Sequence, residues 1–176
     1  MAEKGTFLTP TLVVSHCNDY LKKHGSAEWH LRKQAAAAQE HIRSCRRAVQ
    51  AGVTICTGTD LLPSDPIDGT TPTVRETELL VEDVGMTPLQ AIRCATRNGA
   101  ELCGVLAETG TLEPGKLGDF LIVEGRPDEN IRDLRNLRLV SKGCRLVKSN
   151  LPAITKQNFN PMMAGVPCDG GTFRIW

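Results

Sequence analysis

Asp60 is the residue most openly placed for chemistry. It ends the stretch Ala51-Gly-Val-Thr-Ile-Cys-Thr-Gly-Thr-Asp60. Val53 to Thr57 is a β-branched run that predicts a short buried parallel strand. Gly58-Thr59-Asp60 then lifts one carboxylate off the strand's C-terminal end, where α/β proteins place ligands and chemistry. The competing reading is structural, because aspartate is a routine turn former. His16, in Ser15-His-Cys-Asn18, follows another predicted strand. It reads first as a surface loop histidine, since a metal histidine needs convergent partners. His30 and His41 lie on one predicted helix but not at i, i+4 spacing, and no His-x-His occurs. Cys17, Cys45, Cys56, Cys94, Cys103, Cys144 and Cys168 contain no Cys-x-x-Cys pair. They read as small buried hydrophobes of a reducing compartment, not as a disulfide frame or zinc clip. Asp65, Asp68 and Asp119 read as turn residues, and Lys116 as a surface lysine.

The elements that must carry Asp60 follow from patterning. Gly5 to Val14 predicts a strand, with Pro10 marking a bend or an edge. Ser26 predicts the N-cap of a long helix reaching Gln50. Its apolar stripe is Leu31, Ala35, Ala38, Ile42, Cys45 and Val49. Ala51-Gly52 ends that helix, and strand 53–57 follows, so the order is a βαβ unit with parallel strands. Leu61 to Pro72 is a long loop, a length that is often functional. A helix is expected over 73–84, with Val74, Thr77, Val81 and Val84 on one face. Thr87-Pro-Leu-Gln90 is a capping box that opens a helix to about Arg97. Its apolar edge is Leu89, Ile92 and Ala95/Thr96. Asn98-Gly99 is expected to break it, with a brief resumption over 100–103.

After Gly104 the character changes to a small β region. A turn-rich segment, 110–119, leads into a strand at 120–124, then a polar connection at 131–136. Strands at 137–141 and 144–147 flank Lys142-Gly143, read as a two-residue hairpin turn. The rest, 149–176, is read as an irregular tail.

Composition narrows the function classes. With 40% apolar residues and a net charge of +1, the chain buries a core and is not disordered by composition. Basic residues are scattered and aromatics are 4%, which argues against a nucleic-acid partner. No apolar run approaches membrane-spanning length, and Met-Ala-Glu-Lys-Gly-Thr has no signal-peptide core. A cytoplasmic chain with no membrane partner is expected.

In this order the residues resemble the metal-dependent amidohydrolase superfamily, in its imidazolonepropionase-like and prolidase-like branch. The pieces are Phe7-Leu-Thr-Pro-Thr-Leu12, Ala51-Gly-Val with Gly58-Thr-Asp60, and Glu78-Leu-Leu-Val-Glu82. They continue with Gly85-Met-Thr-Pro-Leu-Gln-Ala-Ile92, Ala95-Thr-Arg-Asn98, Gly110-Thr-Leu-Glu-Pro-Gly-Lys-Leu-Gly-Asp119 and Val140-Ser-Lys-Gly143. The resemblance spans about residues 3–148. It implies an α/β fold that is the C-terminal part of a (β/α)8 TIM barrel, about strands 7 and 8 with their helices. The C-terminal part of a small β-sandwich domain would follow. Residues 1–104 would belong to the barrel, 105–148 to the sandwich and 149–176 to the tail.

The resemblance also implies metal-dependent hydrolysis of an amide-type C–N bond in a small-molecule or peptide-like substrate. A divalent metal, zinc first, is the implied cofactor. Asp60 falls on the strand-eight aspartate, which in the family binds the metal and takes the proton from the attacking water. The family's His-x-His pair and its other ligands have no counterpart here, and a barrel alone takes about 250 residues. The expectation is therefore a truncated, inactive C-terminal fragment that needs the missing N-terminal part or self-association. The alternative is a non-catalytic binding or structural domain that docks with a partner.

Overall fold

In the computed structural model, which describes residues 1–61 and 66–151, two short strands lie parallel in the first of two compact units, Met1–Ala95. β1 (Phe7–Leu8) pairs with β2 (Thr54–Ile55), Phe7 opposite Thr54 and Leu8 opposite Ile55. Between them come α1 (Leu12–Ser15), α2 (Asn18–Lys23) and α3 (Glu28–Gln50). The strand–helix–strand order and the parallel pairing are as expected.

The boundaries differ. Only Phe7–Leu8 of the expected 5–14 strand is paired, because Thr11 turns the chain at φ 53° into α1. The cap of α3 is Ala27, not Ser26, and no side chain bonds to its free amides. Ser26 N–H instead closes α2, donating to the Leu21 carbonyl at 3.0 Å. The buried stripe of α3 is Ala38, Ile42 and Cys45, whereas Ala35 is exposed.

Two more helices complete this unit. In α4 (Pro72–Glu82), Thr71 is the cap, its Oγ1 accepting from Val74 N–H at 3.4 Å, with Pro72 in the first turn. Of the expected Val74–Thr77–Val81–Val84 stripe, Thr77 and Val84 are buried while Val74 and Val81 are half-buried, and the buried surface of α4 is broader. It includes Glu76, Thr77, Glu78, Leu79 and Leu80. In α5 (Pro88–Ala95) the capping box forms: Thr87 N–H donates to Gln90 Oε1 at 2.8 Å, and Gln90 N–H to Thr87 Oγ1 at 3.3 Å. Its buried edge is Ala91 and Cys94, while Leu89 is 58% exposed.

The second unit begins at Thr96. α6 (Arg97–Leu102) runs through Asn98-Gly99, so the expected break lies earlier, at Thr96, whose φ −126° and ψ −90° are not helical. Gly110 lies against this helix, and a Cβ there would strike Ala100. β3 (Phe120–Val123), β4 (Leu137–Lys142) and β5 (Arg145–Ser149) form an antiparallel sheet in that order. Phe120, Leu139 and Leu146 are its core. Lys142 pairs with Arg145, so the hairpin turn is Gly143-Cys144, one residue later than expected. Both turn residues have positive φ, 54° and 58°, as a type I′ turn requires.

Four of the cysteines are buried, as expected: Cys17, Cys45, Cys56 and Cys94. Cys103 is exposed and Cys144 half-buried, which corrects the reading of all seven as buried. Cys168, Asp65 and the expected tail beyond Leu151 lie outside the described residues. Among the described residues no helix is long and apolar enough to cross a membrane.

Asp119 ties the second unit together. Its Oδ1 accepts from Gly143 N–H at 2.6 Å, and its Oδ2 from Thr109 Oγ1 at 3.2 Å and from Lys142 Nζ. Burial pushes its carboxyl up, but the Lys142, Gly143 and Thr109 donors outweigh that and hold it below its ordinary 3.8. The stabilisation is therefore complete above that ordinary value and is lost as pH falls through the lowered one. Asp119→Ala is expected to cost about 1–3 kcal/mol in urea unfolding at neutral pH. Asp119→Asn should flatten the acid limb of stability below about pH 4. Urea midpoints across pH measure both.

Candidate functional site

Two loops leave the C-terminal ends of β1 and β2 side by side. After β2, Cys56 N–H donates to the Leu8 carbonyl at 2.9 Å and Thr57 N–H to the Cys94 carbonyl at 3.2 Å. The loop then passes close to its neighbour at Gly58. A Cβ there would run into the Thr9 methyl and touch the Thr11 methyl at 3.4 Å, so glycine is the residue that fits. Thr59 Oγ1 accepts from Leu61 N–H at 3.4 Å. Asp60 follows, exposed and at φ 50°. Thr11, in the facing loop, also has positive φ. Such conformations cost about 1–3 kcal/mol each at a non-glycine residue and persist where the surroundings over-determine them.

Helix α4 supplies the surroundings. Glu76 is fully buried. Its two carboxylate oxygens accept from Leu12 N–H at 2.9 Å and Val13 N–H at 2.7 Å, two of the free amides at the start of α1. Thr11, in the cap position, makes no side-chain cap bond. Burial pushes the Glu76 carboxyl up from its ordinary 4.5 to about 7, against the two amide bonds that lower it. The Cys45 thiol is pushed up to about 11 by burial and by the Glu76 charge.

Arg75, next to Glu76, pairs with three carboxylates, hydrogen-bonding Glu78 and Glu82 and facing Asp68 as an ion pair. Its Nε lies 2.8 Å from Asp68, and one terminal nitrogen lies 3.1 Å from Glu78 and 2.9 Å from Glu82. Burial disfavours its charge, but the bonds to Glu82 and Glu78 outweigh burial and raise its pKa. Asp68 sits in the tight turn closed by the Ile67–Thr70 bridge, at φ 51° followed by Gly69 at φ 75°. It is a turn former, as expected, and an ion-pair partner as well.

The other sequence candidates lie in different surroundings. His16 Nδ1 donates to the Leu12 carbonyl at 2.8 Å, and Nε2 faces Asp83 at 3.8 Å. Its ring is committed to α1 and to the end of α4. His41 is half-buried and bonds Ser15 Oγ at 2.9 Å through Nδ1. Lys116 is also not a free surface lysine. Its Nζ donates to Thr111 Oγ1 at 2.5 Å and lies 3.4 Å from Glu113.

Among the described residues no three His, Cys, Asp or Glu side chains converge as a metal site would need. Asp60 supplies one exposed acceptor, and a catalytic zinc takes three protein ligands. These residues alone do not fit a metal centre. Two features of the site were invisible to spacing. One is Glu76, whose only signal is a carboxylate inside a buried helical run. The other is Thr57, whose Oγ1 is buried without a hydrogen-bond partner among the described residues.

Comparison with known proteins gives these loops a context. Residues 1–172 match the profile of the amidohydrolase family. An ochratoxinase of Aspergillus niger is 34% identical over 152 residues, 84% of this chain and 30% of that protein. An imidazolonepropionase of Thermoplasma acidophilum is 28% identical over 123 residues, 70% of this chain and 29% of that protein. The crystal structure of a Xaa-Pro dipeptidase with methionine bound in its active site superposes with a TM-score of 0.70 at 30% identity. It covers 85% of this chain and 36% of that one. The chain thus spans about a third of the length of the relatives it matches.

The Glu76 environment has a definite pH signature. A raised folded-state value means that the folded protein holds this proton where the unfolded chain has lost it. Stability from this group therefore falls as pH rises from about 4.5 to about 7 and is level above. Glu76→Gln should remove that slope, of the order of 3 kcal/mol across the window. It should also weaken one of the two amide bonds, because an amide nitrogen cannot accept. Thermal unfolding at several pH values between 4 and 8 is the measurement.

Proposed function

Because the chain belongs to the amidohydrolase family, we propose that these residues are the C-terminal share of a metal-dependent hydrolase that splits an amide-type C–N bond. In this reading β1 and β2 are barrel strands seven and eight, residues 1–104 belong to the barrel, and 105–148 to a small β-sandwich domain. The tail 149–176 follows. Asp60 is the carboxylate this share contributes, as metal ligand and as acceptor of the proton from the attacking water. A divalent ion, zinc first, would lower the pKa of that water when bound. No further ligands gather with Asp60 among the described residues, so in this reading they are supplied by a segment outside the 176 residues, and the chain alone is expected to be inactive. The cysteine usage suits a cytoplasmic protein.

The observation that carries the reading is the placement of Asp60, one exposed carboxylate beyond the C-terminal end of a parallel pair in a chain that matches this family throughout. The substrate class is a small-molecule or peptide-like amide, and the likeness to a Xaa-Pro dipeptidase makes Xaa-Pro dipeptides the first trial.

The purified chain, supplied with zinc or manganese, is expected to turn over neither Xaa-Pro dipeptides nor N-acyl amino acids. Joined to a family N-terminal segment that carries a His-x-His pair, it should gain metal-dependent turnover. Asp60→Asn should then reduce that turnover at least about 100-fold, the scale of a lost general base. Turnover indifferent to Asp60→Asn would refute the assignment. A well-folded oligomer that stays inactive with the added segment would favour a binding module.

A further inference from the structure

We propose that His16 and Asp83 form a proton-dependent latch between the end of α1 and the end of α4. The inference does not depend on the reading of Asp60. A carbonyl oxygen only accepts, so His16 Nδ1, 2.8 Å from the Leu12 carbonyl, carries a hydrogen whatever the charge of the ring. In the neutral ring that choice leaves Nε2 as a bare acceptor. Nε2 faces Asp83 Oδ2 at 3.8 Å, and two acceptors facing each other gain nothing. A proton on Nε2 turns the same contact into an ion pair. Turning the ring over does not escape this, because a ring carbon would then face the Leu12 carbonyl. The imidazole is 16% exposed and the carboxylate 37%, so the pair is screened less than one in open solvent.

The surroundings give the latch its direction. Asp83 is the C-cap of α4, at the helix end where a negative charge is unfavourable and a cation is favoured. Arg46, on α3, donates from Nε to the Asp83 backbone carbonyl at 2.7 Å. Among the described residues the imidazole is the group that pairs with the Asp83 carboxylate itself. Three other titratable groups adjoin α1. Glu76, on α4, binds Leu12 and Val13 N–H at the opposite end of α1. The Cys45 thiol, on α3, is pushed up to about 11 and stays neutral. His41, also on α3, reaches Ser15 Oγ at 2.9 Å, and that oxygen lies 3.2 Å from His16 Nδ1. A hydroxyl both donates and accepts, so the His41 bond survives either charge state, whereas the His16 contact does not. One proton therefore decides whether α4 holds α1 at both ends or only at its start. The latch closes while Nε2 keeps that proton and opens as pH rises through the titration of the ring.

The test is a double-mutant cycle of His16→Asn and Asp83→Ala in the whole 176-residue chain. It is read by urea unfolding at about pH 5.5 and about pH 8.5, either side of an ordinary histidine titration. The asparagine amide keeps a donor for the Leu12 carbonyl and lacks Nε2, so the cycle isolates the latch. Coupling should amount to about threefold in the folding equilibrium at the lower pH, the scale of a partly exposed ion pair, and vanish at the higher. Glu76 and His41 are present in all four proteins, so their own titrations cancel. In the unaltered chain, imidazole nitrogen resonances should show Nδ1 protonated at both pH values. The Asp83 carboxyl carbon should shift in step with loss of the proton from His16 Nε2. Coupling that is absent at the lower pH or equal at both, or a neutral His16 that carries its hydrogen on Nε2, overturns the proposal. Should a variant fail to fold, the Asp83 carbon decides: a resonance indifferent to the His16 titration overturns it as well.

Discussion

A fully buried carboxylate is held here by two backbone amides, and that bond ties α1 to α4. Glu76 exchanges hydration for the N–H groups of Leu12 and Val13. The exchange is adequate only because both oxygens are used, since a half-satisfied buried carboxylate would cost several kcal/mol. The bond joins segments more than sixty residues apart, so the start of α1 depends on α4 being in place. Burial still outweighs the amides in setting the affinity of the group for a proton. The junction is therefore tied to solution pH in a way that an apolar contact would not be.

The second unit uses the same device on a smaller scale. Asp119 accepts from Gly143 N–H and from Lys142 and Thr109, and Ser141 Oγ donates to the Gly118 carbonyl at 2.8 Å. The turn-rich stretch that ends at Asp119 is thereby stitched to the β4–β5 hairpin. The stretch Glu113-Pro-Gly-Lys-Leu-Gly-Asp119 is held in place by this architecture. Lys116 and Asp119 are both committed to neighbours inside it. In the first unit Asp60 is exposed. It follows a loop that passes close to Thr9 at Gly58.

Much of the frame was legible before any coordinates. The parallel order came from a helix with a clear apolar stripe between two β-branched runs, and the Thr87–Gln90 box formed as its residue types require. Local chemistry of this kind is read reliably because the interacting atoms lie within four residues of each other. The misreadings have a common cause. Gly5–Val14 looked extended throughout because its β-branched residues favour strand, yet Leu12–Ser15 is helical because Glu76 is available to cap it. Asn98-Gly99 looked like a break, but it continues as helix where Gly110 lies against Ala100. The stripe assigned to α4 left out two carboxylates, because periodicity scores Glu76 and Glu78 as solvent-facing.

Sequence by itself therefore determined the family, the βαβ order, the capping box and the strand-end location of Asp60, all of which depend on residue type and short spacing. Tertiary structure alone decided where α1 starts, that Glu76 reaches the first amides of α1 and Arg75 pairs with Asp68, and that His16 turns to Asp83. The reason is physical. Whether a carboxylate or a guanidinium is solvated or buried depends on donors and acceptors brought together by folding, and neither side chain carries that information in its own stretch of chain.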